Sequence, residues 1–314
     1  MVAHDREKPE FNYSFAKERE ALLATKAARG VPEKVKRRLL AATWNLTNFG
    51  VQERSDNDLA LMAEVISWFD LVAIQEMADD LKHLRLLMNH LPPTYKVIIS
   101  DIGGNDERAG FLFDSTKVER LELAAEVGVS PSDLHNIRMR GVSGSFQGFD
   151  RNPYLVAFRA GALEFTAVCV HLYFGSNAYY DEDRRALEAY ALARWADQRH
   201  KAPGAYSQNV LVMGDFNLPI RDEQSTVYKA LKANRLILPK HSTTMGSNLA
   251  GDKEYDQIAF QAGGMQDSHT DSGVFDFDRA PFFADAWHTG PDYFNATVKY
   301  HISDHRPLWA QFQI

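Results

Sequence analysis

The chain has 314 residues, and its 35 Lys and Arg stand against 42 Asp and Glu for a formal net charge of −7. That balance excludes a protein that holds nucleic acid by bulk electrostatic attraction, although a bound cation and a few arginines can still make one site positive. Hydrophobic residues at 45% and charged residues at 25% exclude a disordered chain, and the one cysteine, Cys169, excludes an internal disulfide.

Residues 1–38 are charged and poor in apolar side chains, with Gly30-Val31-Pro32 as an interruption, and read as a solvated arm or surface helix. A single domain is expected over residues 39–314. Its first apolar run, Leu39–Trp44, has the length and β-branched or aromatic content of a buried strand. Asp58–Phe69 has helical period, with Leu59, Met62, Val65, Ile66 and Phe69 on one face. Leu71–Ile74 reads as a strand, Asp80–Leu91 as a helix, and Val97–Ile99 and Gly110–Phe113 as strands. The stretch Val127–Asp150, rich in Ser, Gly and Asp, reads as a long surface loop, and loops of that length in a compact domain are more often functional than idle. Tyr154–Phe158 and Phe165–Val170 read as strands, Asp183–Trp195 as a helix, Val210–Met213 as a strand and Pro239–Lys253 as a second long loop. Gln257–Phe260 and Pro307–Phe312 complete the strands. Strands and helices so interspersed predict an α/β or α+β protein with sheets packed inside helices.

The polar residues sit where the apolar runs stop. Leu39–Trp44 ends in Asn45, Leu71–Ile74 in Gln75-Glu76, Phe165–Val170 in His171, and Val210–Met213 in Gly214-Asp215-Phe216-Asn217, while Ile302 leads into Ser303-Asp304-His305. Strand ends converge on one rim of a sheet. A rim carrying carboxylates, amides and two histidines is the inventory for a hard divalent cation and acid–base chemistry. Each residue alone has a plainer explanation: a carboxylate after a strand is usually a turn or a cap, and a lone histidine beside an apolar run is usually structural. Their joint occurrence in one order favours a site. Mg²⁺ needs only one or two protein carboxylates, so Glu76 is the first candidate ligand. Neither CxxC nor HExxH competes.

The ordered strings WNLTNFG, IQEM, NDERAGFLF, DRNPYLVAF, VHLYFGS, MGDFN, EYDQI, SGVFDFD and ISDHRPL span residues 44–308. In this order they resemble the endonuclease/exonuclease/phosphatase superfamily, and within it deoxyribonuclease I most closely. The resemblance implies a four-layer fold, two packed mixed sheets flanked by helices, with the site at one edge of the sandwich. It implies that Glu76, Asn45, Asp304 and Asp215 hold Mg²⁺ or Mn²⁺, with Ca²⁺ as a further structural ion. By the same carry-over Asp215 and Asn217 hold the metal or the scissile phosphate, Glu107 orients His171, Asp256 orients His305, and Arg151 and Asn45 contact phosphate oxygens. Which imidazole takes the proton is not legible from sequence; His305 as base and His171 as acid is the preferred order.

The sequence departs from deoxyribonuclease I at Ala78 and Asn105, where that family has minor-groove contacts, at Thr47 in place of an arginine, and at Val127–Asp150 in place of a disulfide loop. The resemblance implies a metal-dependent phosphodiester hydrolase, an endonuclease that cleaves DNA with low sequence specificity, and a hydrolytic centre retained without the duplex-reading contacts brings single-stranded DNA and RNA into its expected substrate range. The runner-up is a phosphatase or phospholipid phosphodiesterase of the same superfamily, with Tyr173, Phe174, Tyr179 and Tyr180 as a pocket for a small head group. A non-catalytic binding module would have lost a histidine or a carboxylate, and none is lost. No apolar run reaches membrane-span length and MVAHDREKPE has no apolar signal core, so the expectation is a cytoplasmic chain with no obligate protein partner.

Overall fold

The computed structural model describes residues 1, 2, 4, 11–243, 245–279 and 283–314. Strand β1 (Arg38–Phe49) illustrates how the sequence builds layers. Successive side chains of a strand point to opposite faces; Leu39 and Ala41 enter the space between two sheets, and Leu40, Ala42 and Trp44 face helices on the other side. Both faces are covered, which is why the run is apolar throughout rather than alternating.

Beyond β1, the first sheet contains β2 (Leu71–Ala78), β3 (Tyr95–Ile99), β4 (Glu107–Asp114), β10 (His269–Val274) and β11 (Leu308–Gln313), in the order β10-β11-β1-β2-β4-β3. The second contains β5 (Glu119–Glu126), β6 (Tyr154–Ala160), β7 (Leu163–His171), β8 (Val210–Asp215) and β9 (Asp256–Phe260), in that order. Each sheet has one parallel pair, β1–β2 and β7–β8, and is otherwise antiparallel. A parallel pair needs a crossover. Helix α2 (Asp56–Ser67) supplies one and α5 (Tyr179–Lys201) the other. Two βαβ units therefore lie back to back, with Phe111, Phe158, Phe165 and Phe312 filling the space between the sheets. Among the described residues the expected two-sheet sandwich flanked by helices is what the chain forms.

The helical face predicted for α2 is the one that is buried, and Ser55 and Asp58 close a capping box at its start, a device worth about 1 kcal/mol. The remaining helices are α1 (Phe15–Lys26), α3 (Lys82–His90), α4 (Pro131–Leu134), α6 (Thr226–Ala233), α7 (Gly264–Ser268) and α8 (Pro291–His301). Helix α1 lies on the surface and is anchored along one side: Leu22 is 1% exposed, Phe11, Tyr13 and Phe15 pack on the core, and the Glu18 carboxylate accepts the backbone N–H of Phe283 at 2.7 Å. The Tyr13 hydroxyl donates to Asp58, which also bonds His301 Nδ1 at 3.0 Å. These contacts tie the segment to α2 and to the end of α8, immediately before Ser303-Asp304-His305. No described helix is long and apolar enough to cross a membrane.

Candidate active site

The parallel pairs put four of the expected residues at strand C-terminal ends on a shared edge, the usual place for ligands beside parallel strands. In the second sheet His171 is the register partner of Asp215, and Asp215 that of Asp256. Gly214 permits this closeness: with φ 149, a Cβ there would lie 2.0 Å from the Val170 carbonyl oxygen. In the first sheet Asn45 pairs with Gln75, and Glu76 follows on a bulge in the left-handed region at φ 60. Thr47, Asn48, Asn105 and Asn217 also have positive φ and line the same cavities. Such conformations cost roughly 1–3 kcal/mol each and persist where surrounding structure imposes them.

The Ser303-Asp304-His305 turn is fixed from three sides. Ser303 Oγ donates to the Asn45 carbonyl at 2.7 Å and accepts the His305 N–H at 2.9 Å. Trp44 Nε1 donates to the His305 carbonyl at 2.8 Å. Arg306, fully buried, ion-pairs with Asp278 at 2.7 Å and donates to the carbonyls of Gly246 and Leu249. This pair anchors the VFDFD string and the loop before β9 to the turn.

The result is a pair of histidine–carboxylate dyads facing one aspartate. His171 Nδ1 bonds Glu107 at 3.1 Å, and its Nε2 lies 3.7 Å from Asp215 Oδ2. His305 Nδ1 bonds Asp256 at 2.7 Å, and its Nε2 lies 3.8 Å from the same oxygen. Asn45 Nδ2 donates to that oxygen at 3.1 Å and to Glu76 at 2.8 Å, while the backbone N–H of Asn48 holds the other Glu76 oxygen at 2.7 Å. Burial alone would push both imidazoles down. For His305 the carboxylates of Asp256 and Asp215 overcome it and hold the group well above the ordinary histidine value. His171 is also raised: burial and Arg151 lower it, but Glu107 and Asp215 prevail. Burial likewise opposes ionisation of Asp215, and the two imidazoles reverse this, leaving its carboxyl below the ordinary value.

The dyads open on a cavity of about 480 Å³ lined also by Glu76, Asn217, Tyr173 and Tyr255. A second cavity of about 380 Å³ lies beyond Glu76, beside Thr47, Asn48, Asp304 and His4. Glu76 faces both, with its oxygens oriented by Asn45 and Asn48. Donor atoms of Glu76, Glu107 and His171 lie within 4.8 Å of one another, as do those of Asp215, Asp256 and His305. Glu107 and Asp256 are engaged with their imidazoles, so Glu76 is the carboxylate most open to a cation. The oxygen-rich donor set suits a hard ion such as Mg²⁺ or Mn²⁺ rather than a soft one.

All ten residues singled out from the sequence lie in or immediately around this edge. Arg151 is placed differently from a free phosphate clamp: it ion-pairs with Glu107 at 2.8 Å and donates to the carbonyls of His171 and Leu172 at 2.9 and 3.0 Å. Asn217 donates to the Leu172 carbonyl at 2.7 Å. Asp304 accepts from Thr47 and ion-pairs with Lys299 at 3.0 Å. Sequence reasoning missed Lys299, Asn48, Arg54 and His4. Arg54 is buried and donates to the carbonyls of Leu46, Thr47 and Ile302, joining the end of β1 to the turn. A signal for these existed only for Asn48, one residue after the departure at Thr47.

No protein-family model matches the chain. No curated protein matches it in sequence. Solved structures do. An endonuclease/exonuclease/phosphatase family protein from Bacteroides thetaiotaomicron superposes with TM-score 0.55 at 16% identity, covering 87% of this chain and 94% of that one. A mannosyl-6-phosphatase of the same organism gives 0.57 at 16%, covering 87% and 98%. TDP2 of D. rerio, in complex with a single-strand DNA product, gives 0.57 at 14%, covering 88% and 99%. The fold is that of the endonuclease/exonuclease/phosphatase proteins. Within that sandwich the endonuclease/exonuclease/phosphatase fold brings strand ends of both sheets to one edge, where the dyads described above stand.

Proposed function

We propose that the chain is a divalent-metal-dependent phosphodiester hydrolase that cuts DNA with low sequence preference, single strands or RNA included. The observation that carries this reading is the pair of carboxylate-backed imidazoles, whose Nε2 atoms lie 3.7 and 3.8 Å from the same Asp215 oxygen. Hydrolysis of a phosphodiester needs a base for water, an acid for the leaving oxygen and neutralisation of phosphoryl charge. With Nδ1–H donated to its carboxylate, each imidazole presents Nε2 to the cavity. His305 removes a proton from the attacking water at Nε2. His171 delivers one from Nε2 to the leaving oxygen. Asn45 and Asn217 orient the phosphate, and Asp215 stabilises both imidazolium states. Arg151 acts through Glu107 and the 171–172 backbone as a positioning residue. Glu76, with Asn45, Asp215 and Asp304 around it, would hold Mg²⁺ or Mn²⁺, which supplies charge neutralisation on the phosphoryl oxygens. The single-strand DNA product in the TDP2 neighbour supports the substrate class, as do Ala78 and Asn105 in place of duplex-reading side chains.

The test is a substrate panel with Mg²⁺ or Mn²⁺: plasmid, single-stranded DNA, RNA, sugar and inositol phosphates, and sphingomyelin. Cutting of nucleic acid that EDTA abolishes and added metal restores is the expected outcome. Hydrolysis of a sugar phosphate alone would replace the nuclease reading with a phosphatase one. Full-rate cleavage in EDTA would remove the metal.

A further inference from the structure

A cavity of about 310 Å³ that the mechanism does not use lies next to the catalytic one. The 143–148 stretch of the long loop forms one side and the first turns of α5 the other, with Phe146 and Leu187 at its base. Side chains in contact with one another line the two cavities from either side. Arg184 and Glu188 face the new cavity, and Asp150 and Tyr173 face the catalytic one. Glu188 accepts the backbone N–H groups of Asp150 and Tyr173, each at 3.0 Å. Arg184 pairs with Asp150 at 2.8 Å, and its guanidinium lies 3.7 Å over the Tyr173 ring. At the mouth stand Tyr179 and Tyr180, 64% and 72% exposed. Two rings left in water beside an apolar pocket are unusual for a folded surface and mark a binding site.

We propose that this pocket receives the unpaired base of a nucleotide flanking the scissile phosphate, so that the enzyme selects single-stranded nucleic acid. This rests on the nucleic acid reading above. Three features fit a base. The pocket adjoins the phosphate-processing cavity, so a ligand spanning both carries a phosphate and, within one nucleotide, an apolar planar group. Tyr179 and Tyr180 offer faces for stacking, which tolerates any base. Ser143, Ser145 and Gln147 at the rim offer groups for a base edge. A base can enter between loop and helix only when it is not paired, because its partner strand would meet the loop.

The experiment compares Tyr179→Ala, Tyr180→Ala and Ser145→Trp with the unaltered protein; all three positions are exposed, so the fold is kept. With metal, cleavage is measured on a single-stranded oligonucleotide and on one carrying abasic residues on both sides of the cut. Each tyrosine variant should raise KM for the intact strand about ten-fold, the usual worth of one stacked ring, and leave the abasic strand unchanged. In EDTA, so that nothing is cut, a 2-aminopurine-containing single strand should lose fluorescence on the unaltered protein and keep it on all three variants. Equal quenching by every variant overturns the pocket even if DNA is cut. Quenching by the unaltered protein alone, without cleavage in metal, upholds the pocket and instead removes the nuclease reading.

Discussion

His171 and His305 approach Asp215 at nearly equal distances, yet the carboxylates behind them live in different fields. Glu107 has the Arg151 guanidinium at 2.8 Å, whereas the ion pair recorded for Asp256 among the described residues is with His305 itself. Burial pushes both carboxyl groups up. At Glu107, His171 and Arg151 reverse this and hold it below the ordinary value; at Asp256 burial prevails and the group is raised. The imidazoles inherit the difference, with His305 well above the ordinary value and His171 raised against the opposition of Arg151. An imidazole backed by an uncompensated carboxylate binds a proton more firmly, and one whose carboxylate is shared with an arginine releases it more readily. The geometry is near-symmetric and the electrostatics are not.

The largest effect comes from deleting either imidazole. His171→Ala and His305→Ala should each reduce kcat by about 10²–10⁴-fold with the thermal unfolding transition retained. Because the two act on one phosphate, the double variant should fall little below the worse single one. A double variant that multiplies the two losses would mean that the halves work independently, and the shared-phosphate picture would fail.

Next come the carboxylates. Macroscopic limbs in the pH dependence of kcat/KM belong to the coupled pair, but each carboxylate should move them in a calculable direction. Asp256→Asn removes the group that raises His305 most, so a limb moves to lower pH, while Asp215 and Asp304 still oppose the effect of burial. Glu107→Gln removes the main support of His171 and leaves Arg151 facing it, so a limb should cross to below the ordinary imidazole value. Identical profiles for the two variants would erase the asymmetry.

The two halves also differed in how readily the sequence disclosed them. Asn45, Glu76, His171 and Asp215 were legible because each ends an apolar strand core, and the parallel pairs carry strand ends to one edge. Arg151 and Glu107 begin or precede strands, and only the family strings pointed to them. Their ion pair was invisible, since nothing in linear sequence says which buried arginine meets which carboxylate. β5 was missed because ERLELAAE, an exposed edge strand, buries only Leu121 below a tenth of its surface, and charge on an edge is protection against pairing rather than a strand signal. β10, HTDSGV, was missed because its buried half is Ser272, Gly273 and Val274, which gives no apolar run. The helix read as Asp183–Trp195 runs from Tyr179 to Lys201; its first turn is polar and aromatic because it borders the pocket, so apolar periodicity begins later than the helix. The left-handed backbone at Glu76 had no signature, because glycine, the usual marker, is absent there.

The smallest expected effect lies on the His305 side. Burial would push the Asp304 carboxyl up, but His305, Lys299 and the Thr47 hydroxyl overcome it and hold it at about 2, below its ordinary 3.8. A depressed folded-state value means that the contribution to stability is present above 3.8 and is lost as the pH falls through about 2. The side chain is 29% exposed, so water screening limits the contribution to about 1 kcal/mol. The melting temperature of the unaltered protein should therefore drop more steeply between pH 5 and pH 2 than that of Asp304→Asn. Asn217 carries no titrating group, so the same comparison made with Asn217→Ala should leave the acid slope unchanged. Parallel acid slopes for the unaltered protein and Asp304→Asn would show that the turn before β11 is held by its hydrogen bonds and by Arg306 alone.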